Sequence, residues 1–138
     1  MGSRRMLTRQ ITDDDNFLSL SSAQQALFLH LTMISDDDGF TNKTSLCMFK
    51  AHATQEDMNE LINKRYIIRF PSGVVCIKHW FMANAIRKDR YTPTLHQDER
   101  SQLYLHKNNV YSFTPEDEED EEDEEEKPQN KPLKITFK

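Results

Sequence analysis

The sequence predicts a mainly α-helical domain that carries one small β-hairpin. Two β-type runs, Tyr66–Phe70 and Val74–Trp80, are separated by Pro71-Ser72-Gly73. This turn chemistry is typical of a hairpin, because proline fixes φ and glycine accepts the positive φ with which such loops rejoin a strand. Upstream, helical patterns at residues 44–51 and 54–63 flank a tight turn. The order helix, helix, turn, helix, wing predicts a winged helix-turn-helix fold.

A short helix is predicted near the N-terminus. Thr12 can cap a first turn that contains Asp13, Asp14 and Asp15. Carboxylates are favoured at a helix N-terminus because the helix dipole is positive there.

The next helix has a stronger pattern. Ser22 and Gln25 have the spacing of a capping box, and apolar residues then recur at helical intervals as far as Ile34. Leu29 and Met33 widen the apolar stripe of this helix. Such a helix either lies at the centre of the domain or gives one side to a partner subunit, and the central position is the expectation.

A second aspartate run, Asp36-Asp37-Asp38-Gly39, ends this helix. It lacks the alternating ligand spacing and the distal bidentate carboxylate of a calcium loop. An ordinary solvated turn is therefore expected there. Phe40-Thr41 can then add a short strand beside the hairpin.

The helix-turn-helix supplies much of the predicted core. In residues 44–51, Leu46 and Phe49 are expected to point inward, and Thr54 with Asp57 forms a capping box for the following helix. The predicted core consists of Leu27, Leu31, Ile34, Leu46, Phe49, Met58, Leu61, Ile62, Ile67, Val75, Ile77 and Trp80.

Beyond the wing, Phe81–Ile86 is predicted to be helical, and Leu95–Lys107 to form a last, weaker helix. Pro93 disfavours helix at the residue before it, so a basic cluster at residues 87–90 should lie where regular structure ends. The predicted organisation is a possible cloning remnant at residues 1–3, a winged-helix domain at 4–95, a helical extension at 96–112, and a disordered acidic tail with a short basic end at 113–138.

Charge divides the chain into opposing regions. The net charge of −5 arises from an unbroken run of eleven acidic residues, Glu116–Glu126, whereas residues 1–115 hold 14 Lys/Arg and 12 Asp/Glu. Residues 64–107 carry nine basic and three acidic side chains. The run is expected to be a solubilising tail, with competition against DNA for the basic region as the alternative.

Several function classes are not indicated. The sequence has no glycine-rich phosphate loop and no set of nucleophile, base and acid that spacing would single out, so an enzyme is not expected. Cys47 with His52 and Cys76 with His79 do not have zinc-finger spacing, so neither a metal nor another cofactor is expected. Two cysteines and no signal or spanning segment favour a cytoplasmic protein that contacts no membrane.

Basic residues in and after the wing suit contacts to DNA phosphates. On the helix before the wing, Gln55, Asn59 and Asn63 can bond base edges, although Glu56 and Glu60 oppose deep insertion into a groove. The predicted nucleic-acid contacts are Lys64, Arg69, Lys78, His79, Arg87, Lys88, Arg90 and Tyr91.

Two stretches carry a resemblance to a known family: YIIRFPSGVVCIKHWFMANAIRKDRYTPT, and SSAQQALFLHLTMISDDDGF with the opening SRRM. Over residues 4–95 the chain resembles the N-terminal domain of phage replisome organisers, the DnaD-like replication initiators. The wing and basic residues that match the pattern are Ser72, Gly73, Lys78, His79, Trp80, Arg87, Asp89, Arg90, Tyr91 and Pro93.

The resemblance implies a winged helix that binds origin DNA, or organises subunits there, so that a replicative helicase can be loaded. Its implied partners are duplex DNA, with single-stranded DNA as a second form, further copies of the chain, and the helicase or its loader. Leu29 and Met33 are the candidates for contacts between copies. The alternatives are an assembly domain that does not bind DNA by itself, and a winged-helix transcriptional repressor.

Overall fold

A computed structural model describes residues 4–115 of the 138-residue chain. They form a mixed domain of helices and short antiparallel strands, and no helix among them is long and apolar enough to cross a membrane. The helices are α1 (Arg9–Thr12), α2 (Asp15–Leu18), α3 (Ser22–Ile34), α4 (Thr44–Ala51), α5 (Gln55–Asn63) and α6 (Gln97–Arg100); the strands are β1 (Phe40–Thr41), β2 (Ile67–Arg69), β3 (Val75–Ile77), β4 (Tyr104–Leu105) and β5 (Tyr111–Ser112).

The N-terminal segment forms two one-turn helices instead of the single predicted one. Thr8 caps α1, so Thr12 lies inside that helix, and Asp14 caps α2. Phe17 of α2 fixes this segment to the domain, because its ring meets Phe28 and Tyr66 edge-on at centroid distances of 5.5 and 5.8 Å. Such aromatic pairs add to the free energy gained by burial.

Two of the longer helices begin with capping boxes. At α5 the predicted pair Thr54 and Asp57 is confirmed. At α3 the box is formed by Ser21 and Gln24, one residue before the predicted pair, because Ser21 has the extended backbone that an N-cap requires.

The hairpin is confirmed as the strands β2 and β3, which pair antiparallel with Ile68 opposite Cys76. Gly73 closes it with φ of +96°. The predicted strand at Phe40–Thr41 is also present and adds to the other edge of β3, so the sheet order is β1-β3-β2.

Most of the predicted core is buried, but the orientation predicted for α4 is wrong. Leu46 and Phe49 are 41% and 81% exposed, whereas Cys47 and Ala51 point inward. These smaller side chains allow α4 to approach α3 closely. Ile34 and Ile62 are partly buried against the core. The predicted core residues that are buried are Leu27, Leu31, Met58, Leu61, Ile67, Val75, Ile77 and Trp80.

The helices predicted after the wing are largely absent from the described residues. Trp80–Met82 forms one 3-10 turn in place of a helix to Ile86, and only Gln97–Arg100 is helical within Leu95–Lys107. A second hairpin, β4-β5, follows α6. Its Tyr111 is fully buried, and its N–H donates to the carbonyl of Lys78 at 3.0 Å. Residues 96–112 therefore pack into the domain. Of the tail predicted at 113–138, only residues 113–115 belong to the described part, and the acidic run at 116–126 lies outside it.

Candidate functional site

The outward face of α5 carries the three predicted base readers. Gln55, Asn59 and Asn63 are all exposed, and the Gln55 amide donates to Asn59 Oδ1 at 3.2 Å. Glu56 is exposed on the same helix. This surface offers amide groups to a partner, but its carboxylates repel a polyanion.

The Asp57 side chain is part of the capping box at the N-terminus of α5. Its carboxylate accepts from the Thr54 backbone N–H at 2.9 Å, and this hydrogen bond holds the pKa of Asp57 below its usual value. The carboxylate also accepts from the Gln24 amide at 3.0 Å, which joins α5 to α3.

Five of the predicted phosphate contacts are exposed cations. Two of them already have partners: Lys64 Nζ lies 3.6 Å from Glu60 Oε2 and donates to Ser19 Oγ, and Arg87 pairs with Asp89 at 3.0 Å. Exposed pairs of this kind are weak and exchange readily for other anions. The five are Lys64, Arg69, Arg87, Lys88 and Arg90.

The prediction that Lys78 contacts phosphate is wrong. Lys78 is 5% exposed, and its Nζ donates to the carbonyl oxygen of Tyr111 at 3.1 Å. The second hairpin, β4-β5, covers this lysine. The neighbouring His79 is half-buried and lines a small cavity with Met6 and Trp80.

Tyr91, the last predicted contact, uses its hydroxyl inside the protein. The phenol donates to both carboxylate oxygens of Asp38, at 2.7 and 2.8 Å. Burial, followed by this hydrogen bond, raises the pKa of Tyr91 to about 12. The ring is still 39% exposed and can contact a ligand by its face.

The expectation of a solvated turn at Asp36–Asp38 is wrong. Asp37 and Asp38 are 1% and 5% exposed. Asp37 pairs with Arg5 at 3.2 Å and accepts from the Thr92 N–H, while Asp38 accepts from the Thr94 N–H at 2.9 Å. The carboxylates thus hold the N-terminal segment and residues 91–94 together.

This aspartate loop positions the basic cluster. Residues 87–90 have little regular structure of their own, but the segment that follows them is bound to the loop at three successive points. A further bond runs from Thr94 Oγ1 to Asp36. Asp37 and Asp38 support the candidate site in this structural sense. The sequence did not indicate this role, because their partners lie more than thirty residues away.

The tip of the first hairpin is braced by the C-terminal part of the domain. Ser72 Oγ donates to Glu99 Oε2 at 2.6 Å, and this bond lowers the pKa of Glu99. Phe70 meets Phe113 at a centroid distance of 5.8 Å. The bracing leaves Arg69 exposed, but it puts a carboxylate beside the tip.

The candidate contacts between copies are at the surface. Leu29 and Met33 are 39% and 56% exposed on one side of α3. Met33 lines a shallow groove together with Arg4, Arg5, Met6 and residues 84–86.

The described residues contain no group of three or more His, Cys, Asp or Glu side chains arranged to hold a metal ion. Cys47 and Cys76 are buried free thiols, and burial raises the pKa of both. Thiols held in the protonated form are poor metal ligands and poor nucleophiles.

Comparison with known proteins gives no match, whether to a family model, to a curated protein or to a solved structure.

Proposed function

We propose that this chain is a non-enzymatic winged-helix module of phage or prophage replication initiation, which binds DNA or assembles on it to help load a replicative helicase. One observation carries the proposal. The elements α3, β1, α4, α5, β2 and β3 follow one another in the order expected of a winged helix, and β2, the edge strand of the β1-β3-β2 sheet, packs against α5. The resemblance of the wing and basic segment to replisome organisers supplies the replication context, and a host bacterial cytoplasm would be its location.

The exposed basic side chains favour contacts to the DNA backbone over contacts to the bases. Arg69 lies on the wing strand, and Arg87, Lys88 and Arg90 lie in the segment that the aspartate loop holds in place. Cations of this kind bind phosphates whatever the sequence. The carboxylates of Glu56 and Glu60 on α5 keep that helix from entering the major groove deeply.

The exposed side of α3 favours a second role, assembly of several copies. Leu29 and Met33 would be covered in a dimer, and two linked copies bind one DNA molecule more tightly than one copy does. Sedimentation over a range of concentrations checks this role, because a strict monomer excludes it. A repressor of the same fold would bind a palindromic operator tightly, and the acidic side chains of α5 make that role the weaker alternative.

Fluorescence anisotropy with a labelled duplex tests the DNA proposal. The Lys88→Gln and Arg90→Gln variants should each weaken binding to all sequences similarly and reduce the salt slope by about one. Arg9→Gln is the matched control, because Arg9 is an exposed arginine on α1 that is not among the predicted phosphate contacts. Absence of duplex binding at low salt would contradict the proposal and favour the assembly role.

The same titration checks the acidic tail. Removal of residues 116–126 takes away eleven negative charges. If the tail competes with DNA for the basic region, the shortened chain binds more tightly at low salt; equal affinities would assign the tail to solubility.

A further inference from the structure

The helix α4 presents its two largest apolar side chains to solvent. Phe49 is 81% exposed, more than any other aromatic residue in the described part of the chain, and Leu46 beside it is 41% exposed. They lie three residues apart and therefore share one face of the helix. Within residues 4–115 Phe49 is almost uncovered, and Leu46 is only partly covered.

The same face is positively charged. Lys43 and Lys50 lie at the two ends of α4, about 10.5 Å apart along the helix axis, and both are exposed. No Asp or Glu occurs between Asn42 and Thr54. Neither lysine forms an ion pair with the described residues.

This charge limits what can cover Phe49. A second copy placed on α4 about a two-fold axis would bring the four lysines of the two helices together, and α4 itself has no carboxylate to offset them, so self-association through this face is disfavoured. The acidic run at residues 116–126 has the opposite charge, but it has no apolar side chain to cover an aromatic ring. The ligand must carry both negative charge and flat apolar surfaces.

We infer that the α4 face, formed by Lys43, Leu46, Phe49 and Lys50, binds single-stranded DNA, with a base stacked on Phe49 and phosphates beside the two lysines. Unpaired bases offer the π-faces that an exposed aromatic ring stacks on, and stacking of this kind tolerates any sequence. In a duplex those faces are already stacked on their neighbours. The inference rests on the proposed function insofar as the chain meets DNA, and it adds a face separate from the wing.

The test uses the full chain and a labelled oligothymidine, with a labelled duplex in parallel. Phe49→Ala should weaken binding of the oligothymidine about tenfold and leave duplex binding unchanged. Phe49→Tyr keeps the ring and should bind like the parent. Phe49→Leu keeps an apolar side chain without a π-face and should bind as poorly as Phe49→Ala.

Leu95→Ala is the matched control, because Leu95 is 92% exposed and lies outside α4. It should leave binding of the oligothymidine unchanged. Since Phe49 buries little surface, its replacement should leave the thermal unfolding curve unchanged. An unchanged curve shows that weaker binding comes from the lost contact with DNA and not from unfolding of the protein.

Two results overturn the inference. One is unchanged oligothymidine binding by Phe49→Ala; the other is parental binding by Phe49→Leu, which indicates an apolar contact such as an acidic peptide would make. Either result, with duplex binding that still depends on Lys88 and Arg90, leaves the proposed function standing. Oligothymidine binding that depends on Phe49, without duplex binding, supports the inference and refutes the wing as a duplex contact.

Discussion

The chain contains the tripeptide Asp-Asp-Asp twice, at residues 13–15 and 36–38, and the two copies have opposite environments. In the first copy all three side chains are exposed. In the second, Asp37 and Asp38 are almost completely buried. The same three residues therefore serve a helix end in one place and hold the tertiary structure together in the other.

Their partners explain the difference. Asp13 and Asp14 bond to groups within four residues, Arg9 and the Asn16 N–H. Asp37 and Asp38 of the second copy bond to groups that are distant in the chain. Even their backbone takes part: the Asp37 carbonyl accepts from the Trp80 indole and the Asp38 carbonyl from the Tyr111 hydroxyl. A carboxylate becomes structural when the fold brings donors to it, and such donors cannot be inferred from the tripeptide.

The two copies should differ most in the stability that is lost when one aspartate of each is replaced by asparagine. Asp37→Asn leaves the buried guanidinium of Arg5 without its countercharge, and the free energy of unfolding should fall by about 4 kcal/mol. Asp13→Asn is the control, because its ion pair with Arg9 is exposed and should contribute almost nothing. Urea denaturation measures both, and equal small losses would show that Asp37 is not a structural residue.

Gly39 is a further difference between the two aspartate runs, because only the second run is followed by a glycine. A Cβ at Gly39 would lie 2.7 Å from Cγ of Trp80, at a φ of +91°. Gly39→Ala should therefore cost about 3 kcal/mol, from the clash together with the backbone strain.

Gly73→Ala is the matched control that introduces the backbone strain of a positive φ without a steric clash. Its φ is +96°, but no atom lies within 4 Å of the added carbon. The Gly73→Ala substitution should therefore lower the free energy of unfolding by about 1 kcal/mol. A Gly39→Ala variant as stable as Gly73→Ala would mean that Trp80 moves aside without loss.

Tyr91 offers a smaller effect with a distinct pH dependence. Tyr91→Phe removes the hydrogen bond to the Asp38 carboxylate and should lower stability by about 1.5 kcal/mol at pH 8. The fold raises the pKa of Tyr91 from 10.0 to about 12, so the native state favours the protonated phenol. Its contribution is complete below pH 10 and is lost as the pH rises toward 12.

Urea titrations at pH 8 and pH 11 check this sign. The parent should lose stability between the two pH values, and Tyr91→Phe should lose less. Some alkaline loss remains in the variant because burial also raises the pKa of Tyr66 to about 12. An identical loss in both proteins would contradict the assignment to Tyr91.

A small effect is expected at the helix cap in the first aspartate run. Asp14 accepts from the Asn16 N–H at 3.0 Å and caps α2, so Asp14→Ala should cost about 1 kcal/mol. Asp14→Ser keeps a capping oxygen and should recover most of the lost stability. Thermal melts of the parent and both variants measure this difference. A loss as large as that of Asp37→Asn would remove the distinction between the two runs.

The residues of the candidate site differ in how well the sequence predicted them. The exposed arginines of the basic segment are where the charge pattern indicated, because solvent accommodates a charged side chain wherever the backbone runs along the surface. Lys78 could not be predicted, since a β4-β5 hairpin thirty residues later covers it. The signal for that hairpin is weak: Asn108-Asn109 lies between β-type residues, directly after the predicted helix Leu95–Lys107 and inside the predicted helical extension at 96–112.

Local sequence preferences account for the capping box of α5, the turn at Gly73, and the strands on either side of that turn. These features depend on residues within a few positions of one another, whose backbone preferences act without the rest of the chain. Long-range packing, in contrast, sets which face of α4 is buried and brings Asp36–Asp38 into contact with Arg5 and residues 91–94. Both outcomes depend on close approach of distant segments, where the fit of small side chains and the supply of hydrogen-bond donors outweigh the preference of any single residue.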